Sequence, residues 1–166
     1  MNHFELLDLE QKYDIDLRLL QKQYLAKQAL YHPDRVDNDE LKSKNLDISM
    51  QLNEAYKILK DDYARAEYLL SLSGQKFDDQ QLKEVLSRKA LEALMESHEE
   101  LDSMDKLSEL QDLKVLKLKE KSDLVEELKE CFVQKNMTKA LEITIYLKYL
   151  TNLVKNIEFK VKHADN

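Results

Sequence analysis

The chain is poor in the residues that punctuate or crosslink a fold: its 166 residues include one glycine, one proline, one cysteine and no tryptophan. With so few chain-breakers, little but helices and short turns is expected, and the single proline marks a deliberate break. The lone cysteine, Cys131, rules out an internal disulfide framework and any cysteine-built metal site. It falls among Leu128, Phe132 and Val133 in a helical pattern, which reads as a small buried hydrophobe rather than a reactive thiol. Long apolar runs are missing too, so no segment is expected to span a bilayer. The N-terminal Met1-Asn2-His3-Phe4-Glu5 lacks the basic and apolar regions of a secretory signal. These absences lead to the expectation of a soluble protein in a reducing, cytoplasmic compartment. A formal net charge of −7 argues against a general nucleic-acid binder, which needs a basic surface.

What is present is the composition of packed amphipathic helices, with 36% charged and 43% hydrophobic residues. Asp14 or Asp16 can cap a helix ending at Tyr31, with Leu17, Leu20, Tyr24 and Tyr31 on one face and Arg18 and Lys22 on the other. Lys27 stands near the inward stripe, where its stem can snorkel. The polar stretch from Val36 to Lys44 reads as a loop. A second long helix follows, with Ile48, Leu52, Ala55, Tyr56 and Leu59 at helical spacing, suited to pack antiparallel on the first. Asp61 or Asp62 starts a shorter helix through Leu72, closed by Gly74 as the left-handed residue beyond its end.

From Asp79 the pattern changes to three long helices. The first, over 79–101, carries an inward stripe of Leu82, Leu86, Ala90 and Ala93. Leu91 and Met95 lie nearly opposite that stripe, beside Glu92, Glu99 and Asp102. The second runs from about Lys106 to Gln134. The third, over about 138–161, places Ala140, Ile143, Leu147, Leu150, Val154, Ile157 and Val161 at heptad spacing, with Ile145 and Tyr149 pointing away. The fold class is therefore all-α, and its second half is expected to be an antiparallel three-helix bundle.

The proline sits in Tyr31-His32-Pro33-Asp34-Arg35. It fixes its own φ and drives His32 out of the helical region, so an imidazole and a carboxylate are held on a stiff corner. An acid–base pair for hydrolysis is rejected: no nucleophile, glycine-rich loop or metal-ligand set accompanies it. Rigid polar recognition remains, with His32 as hydrogen-bond donor and Asp34 as acceptor.

A helix ending in Tyr-His-Pro-Asp-Arg, a polar stretch and a helix containing Leu52-Asn53-Glu54-Ala55-Tyr56-Lys57-Ile58-Leu59 together resemble a J-domain. The segment Arg65-Ala66-Glu67-Tyr68-Leu69-Leu70-Ser71-Leu72-Ser73-Gly74 resembles the signature that follows it in HscB-type co-chaperones of iron–sulfur cluster assembly. The resemblance covers essentially the whole chain. It implies a J-domain over residues 1–74 and a scaffold-binding bundle over 75–166. It implies a non-enzymatic, monomeric co-chaperone that needs no cofactor and stimulates the ATPase of a seventy-kilodalton heat-shock-type chaperone resembling HscA. The cargo implied is an iron–sulfur scaffold protein resembling IscU. On this reading His32, Pro33, Asp34 and Arg35, with Arg18 and Lys22, engage the chaperone. Leu91, Met95, Glu96, Glu99 and Tyr149 fall on the family's scaffold-binding positions. Glu92 stands where the family pattern carries an apolar residue. Two other readings keep the same helices: a J-domain adaptor for a different client, and Leu91, Met95 and Tyr149 as packing residues rather than an interface.

Overall fold

A computed structural model describes residues 1–75 and 84–164. Every regular element among them is helical: α1 (His3–Leu6), α2 (Leu17–Leu30), a 3-10 turn (Pro33–Arg35), α3 (Asp39–Lys60), α4 (Asp62–Leu72), α5 (Arg88–Asp102), α6 (Leu107–Val133) and α7 (Met137–His163). Among the described residues no helix is long and apolar enough to cross a membrane. The chain divides into two compact units, Met1–Leu69 and Leu70–Asn166.

In the first unit each helix start is set by a side chain. Asn2 and Glu5 form a reciprocal capping box on α1, which seats Phe4 and Leu7 in the core. Asp16, rather than Asp14, caps α2, accepting from the backbone N–H groups of Arg18 at 2.9 Å and Leu19 at 3.3 Å. The stretch 36–44 departs from the expected loop. Asn38 caps α3, and Asp39 and Glu40 occupy the first turn, where the helix dipole favours acids, so the helix begins at Asp39.

Helices α2 and α3 pack antiparallel. Gln28 exchanges hydrogen bonds with Ser49 (side-chain amide to carbonyl 3.1 Å, hydroxyl to amide oxygen 2.6 Å). One turn earlier, Tyr24 stacks on Tyr56 with ring centroids 4.1 Å apart. Leu20, Leu52, Ala55 and Leu59 are fully buried between them. Leu17 is half-exposed, contrary to the expected stripe, whereas Tyr13, just ahead of the helix, is buried against Arg65. Lys27 does snorkel, and its ammonium lies 3.0 Å from the Asp8 carboxylate.

Two residues of α4 fasten the N-terminal segment. Tyr68 stacks on His3 at 4.4 Å, and its hydroxyl accepts from the His3 backbone N–H at 3.0 Å. Burial holds the His3 imidazole below its ordinary pKa, against an opposing pull from Glu54. Arg65 is 3% exposed. It donates to the carbonyls of Tyr13 and Leu59, each at 2.7 Å, and to the Asp62 carboxylate at 3.0 Å. Its guanidinium also lies over the Tyr13 ring, 4.6 Å from the centroid.

Helix α4 ends in a Schellman motif: the N–H of Gln75 reaches the carbonyl of Leu70 and that of Gly74 the carbonyl of Ser71, both at 3.0 Å, with Gly74 at φ +89°. Helix α6 ends in the same way, but Lys135 holds the left-handed position at φ +56°. A side chain there is strained, so Lys135→Gly is expected to raise stability by about 0.5–1 kcal/mol, read as a higher urea midpoint at unchanged slope.

In the second unit α5, α6 and α7 form an up–down–up bundle. Ser97 and then Leu101 on α5 meet Lys117 and then Leu110 on α6, and Lys114 and then Glu120 on α6 meet Glu158 and then Tyr146 on α7, so consecutive helices are antiparallel. One core cluster joins Leu101, Leu110, Leu113, Leu150, Leu153 and Ile157. A second joins Leu86, Leu94 and Ile145, with Leu91 and Tyr149 packed against it.

The expected stripe on the first bundle helix is out of phase. Leu82 lies outside the described residues. Ser87 caps α5, accepting from the Ala90 N–H at 3.1 Å, so α5 begins after Leu86 and its phase cannot be carried back through the break. Leu94, Ser97 and Leu101 face inward, whereas Ala93 is exposed and Ala90 half-buried. The heptad seam of α7 is buried from Ala140 to Ile157, with Val161 half-buried. Ile145 is buried as well, contrary to expectation, because α7 is covered by α5 on that side as well as by α6. Cys131 is buried, and burial pushes its thiol pKa up.

The bundle also carries polar ties. Lys117, whose side chain is 12% exposed, bridges Ser97 (3.1 Å) and Glu120 (3.2 Å). The other Glu120 oxygen accepts from the Tyr146 hydroxyl at 2.9 Å, so burial and this carboxylate push the phenol pKa up to about 12. Lys160 closes the C-terminal end of α5 by donating to the carbonyls of Leu101 at 2.7 Å and Met104 at 2.8 Å.

Candidate functional site

The first site is the corner between α2 and α3. Tyr31 caps α2 at its C-terminal end, and His32 adopts φ −63°, ψ 131°, the extended conformation that a following proline requires. Pro33, Asp34 and Arg35 make one 3-10 turn, closed by the Arg35 N–H on the His32 carbonyl at 3.0 Å. The His32 ring locks the turn from outside: Nδ1 accepts from the Asp34 backbone N–H at 3.2 Å. A nitrogen that accepts carries no proton, which leaves the ring N–H on Nε2. The Asp34 carboxylate lies 3.7 Å from Nδ1. With side-chain exposures of 59% for His32 and 88% for Asp34, both groups present polar atoms to solvent on a backbone with little freedom. Arg35 is exposed beside them. The turn rests against α3.

Arg18 and Lys22 are exposed on one outward face of α2. Their spacing puts them roughly 20 Å and 15 Å of helix from His32, so the fold does not gather them at the corner.

The second site lies on α5 and α7. Leu91 and Tyr149 come together on the Leu86–Leu94–Ile145 cluster, each half-buried. Part of the burial of Leu91 is a helix-start device: Leu86 precedes the Ser87 cap and Leu91 is the fourth residue after it, the arrangement of a hydrophobic staple. Met95 follows on the same face and is 63% exposed. Glu99 continues that line and is exposed. Glu96 is exposed about 100° around the helix from Met95, on the flank of the patch rather than in it. Glu92 is exposed and paired with Arg88 at 3.1 Å. The patch therefore has an apolar centre set in the core and an acidic rim in solvent. Among the described residues no group of three or more His, Cys, Asp or Glu side chains is placed to hold a metal ion.

Arg65 and Tyr68, which the sequence marks only as part of a signature, are structural fasteners. The Ser97–Lys117–Glu120–Tyr146 chain carries no sequence signal at all, since its members are separated by irregular intervals on three helices.

A family model described as the HSCB C-terminal oligomerisation domain matches residues 86–158. The co-chaperone protein HscB homologue of Acinetobacter baylyi is 42% identical over 103 residues, covering 61% of this chain and 57% of that protein. That match spans less than two thirds of the relative's length. The homologue of Acinetobacter baumannii strain SDF is 31% identical over 160 residues, covering 95% of this chain and 89% of that protein. The crystal structure of human co-chaperone protein HscB is similar with a TM-score of 0.91 at 25% identity, over 96% of this chain and 82% of that one. Chaperone HscB from Vibrio cholerae is similar with a TM-score of 0.86 at 28% identity, over 98% of this chain and 99% of that one.

Proposed function

The chain belongs to the HscB family of co-chaperones, and from that membership we propose that it brings an iron–sulfur scaffold protein to a seventy-kilodalton heat-shock-type chaperone and stimulates the chaperone's ATPase. The observation that carries this reading is the corner: an imidazole N–H and a carboxylate held by a proline-fixed turn, with the ring itself hydrogen-bonded into that turn. A group already fixed in its binding geometry loses little entropy on docking, so its hydrogen bonds count nearly in full. The chain does no covalent chemistry in this scheme. ATP is hydrolysed by the partner, and the cluster is cargo.

Residues 1–74 then face the chaperone and 75–166 the scaffold. On the bundle, Leu91 and Tyr149 offer a rigid apolar base, Met95 an adaptable contact, and Glu99 and Glu96 a negative rim. That surface fits a scaffold with an apolar centre and basic margins. The triple variant Leu91→Ala, Met95→Ala, Tyr149→Ala is expected to weaken scaffold binding at least about tenfold by calorimetry, since truncated anchors commonly cost 1–4 kcal/mol each. Unchanged affinity in a folded triple variant refutes the surface. No scaffold binding by the unmodified chain points to a different client.

The whole scheme is tested by single-turnover ATP hydrolysis on the purified chaperone, with the chain alone, the scaffold alone and both. Together they are expected to accelerate hydrolysis beyond the sum of their separate effects. A chain that leaves the rate unchanged, with or without scaffold, overturns the proposal.

A further inference from the structure

The outward face of the α2–α3 hairpin is divided along its length. On α2, Leu20 points into the core. At about 100° per residue, Arg18, Lys22, Leu25 and Ala29 lie opposite it within about 60° of one another. The two basic residues occupy the half remote from the corner. The half beside the corner is apolar, with Leu25 57% exposed and Ala29 exposed next to it. Helix α3 repeats the division. Beyond the seam of Gln28, Ser49 and Asn53, its outward side carries Leu46 and Met50 level with the last turns of α2, 51% and 61% exposed. Lys57 follows farther from the corner, exposed and on the same side. Leu25, Leu46 and Met50 thus form an uncovered apolar strip that runs into the His32–Asp34 turn, and apart from Arg35 in the turn itself the positive charge on this face begins where the strip ends.

We propose that the chaperone surface flanking the corner is apolar where it meets Leu25, Ala29, Leu46 and Met50, and that along the hairpin it turns acidic only beyond them, opposite Arg18, Lys22 and Lys57. This rests on the reading of the corner as the chaperone contact and adds the chemistry of the surrounding surface. Two observations select this occupant. The strip is continuous with the corner, so whatever binds the corner covers the strip. The charge on the hairpin is segregated, so a partner acidic along its whole length leaves half of its carboxylates facing leucine and methionine, desolvated and unpaired. The division also separates two roles. Exposed lysine and arginine roughly 15–20 Å from the corner steer encounter and are screened by salt, whereas burial of the strip holds the complex and is insensitive to moderate salt.

The test measures the full-length chain's half-saturating concentration for stimulation of the purified chaperone's ATPase, at several salt concentrations. The double variant Leu25→Gln, Met50→Gln is expected to raise it roughly tenfold at every salt concentration, with the maximal rate unchanged. The variant Arg18→Gln, Lys22→Gln is expected instead to flatten the salt dependence. Ala29→Arg is expected to weaken binding; tighter binding means that the groove is acidic up to the corner and overturns the proposal. An unmoved half-saturation for Leu25→Gln, Met50→Gln also overturns it. So does a result in which that variant only lowers a concentration-dependent mass, since the strip then serves a second copy of the chain. His32→Gln separates this proposal from its premise: if it silences stimulation while the strip variants do nothing, only the apolar surface is refuted. If it stimulates fully, the corner reading itself fails.

Discussion

His32→Gln is expected to reduce stimulation of the chaperone's ATPase to the rate of the chaperone alone, while helicity and melting temperature stay as they are. The two halves of that expectation come from separate features. His32 is well exposed and contributes one hydrogen bond to its own turn, from the Asp34 N–H to Nδ1. The turn keeps its proline and its closing Arg35–His32 backbone bond when the ring is gone, so the effect on stability stays within about 1 kcal/mol. Recognition is affected far more. A glutamine offers an amide on a longer, freely rotating arm, and it cannot occupy the acceptor position on the turn while presenting an N–H on the far side of a rigid ring. Both the fixed distance and the fixed direction of the donor are lost. Circular dichroism and a thermal melt run beside the single-turnover assay check the two halves together. Full stimulation by the variant overturns the role given to the corner.

The corner was legible because everything that shapes it is local. Pro33 fixes φ, the preceding residue is forced to be extended, and the helix before it must stop; each step needs only neighbouring residues. The hairpin core was legible for a related reason, since Leu52, Ala55 and Leu59 repeat at helical spacing within one uninterrupted helix. Failures begin where a phase is carried across a break. The stripe drawn through Leu86, Ala90 and Ala93 assumes one helix, whereas Ser87 caps a new one and Leu94, Ser97 and Leu101 turn inward instead. At the start of α3, Asn38 followed by Asp39 and Glu40 is a helix-start signal, but the polar composition around it outweighs that signal and reads as a loop. Ile145 faces outward only if α7 has one neighbour; it has two. For the scaffold patch, helical phase puts Leu91, Met95 and Tyr149 away from the expected core stripes and leaves interface and packing roles equally open. The fold separates them into two half-buried residues, seated on the core, and one exposed methionine.

Arg65→Met is expected to cost the N-terminal unit about 3–5 kcal/mol. Methionine fills much of the same space, so the penalty comes from the donors it lacks. The carbonyls of Tyr13 and Leu59 each accept a 2.7 Å bond from the guanidinium. An acceptor left buried without a partner costs about 1–3 kcal/mol, and loss of the cation over the Tyr13 ring adds roughly 1. The Asp62 contact contributes little, because that carboxylate is half-exposed and water replaces its partner. Arg65→Lys keeps the charge but offers a point ammonium where a planar fork serves partners in three directions, so it is expected to recover only a small part of the loss. Sequence could not show this role: the Tyr13 carbonyl lies 52 residues away, and a backbone carbonyl leaves no trace in composition or periodicity. The experiment also decides what the Arg65–Gly74 signature is for. If Arg65 only holds the corner's platform together, Arg65→Met lowers the midpoint of unfolding and stimulates normally at temperatures where it is still folded. If the guanidinium takes part in recognition, stimulation is lost while the fold persists, as it is for His32→Gln. Two buried bonds to backbone carbonyls and an exposure of 3% favour the first outcome.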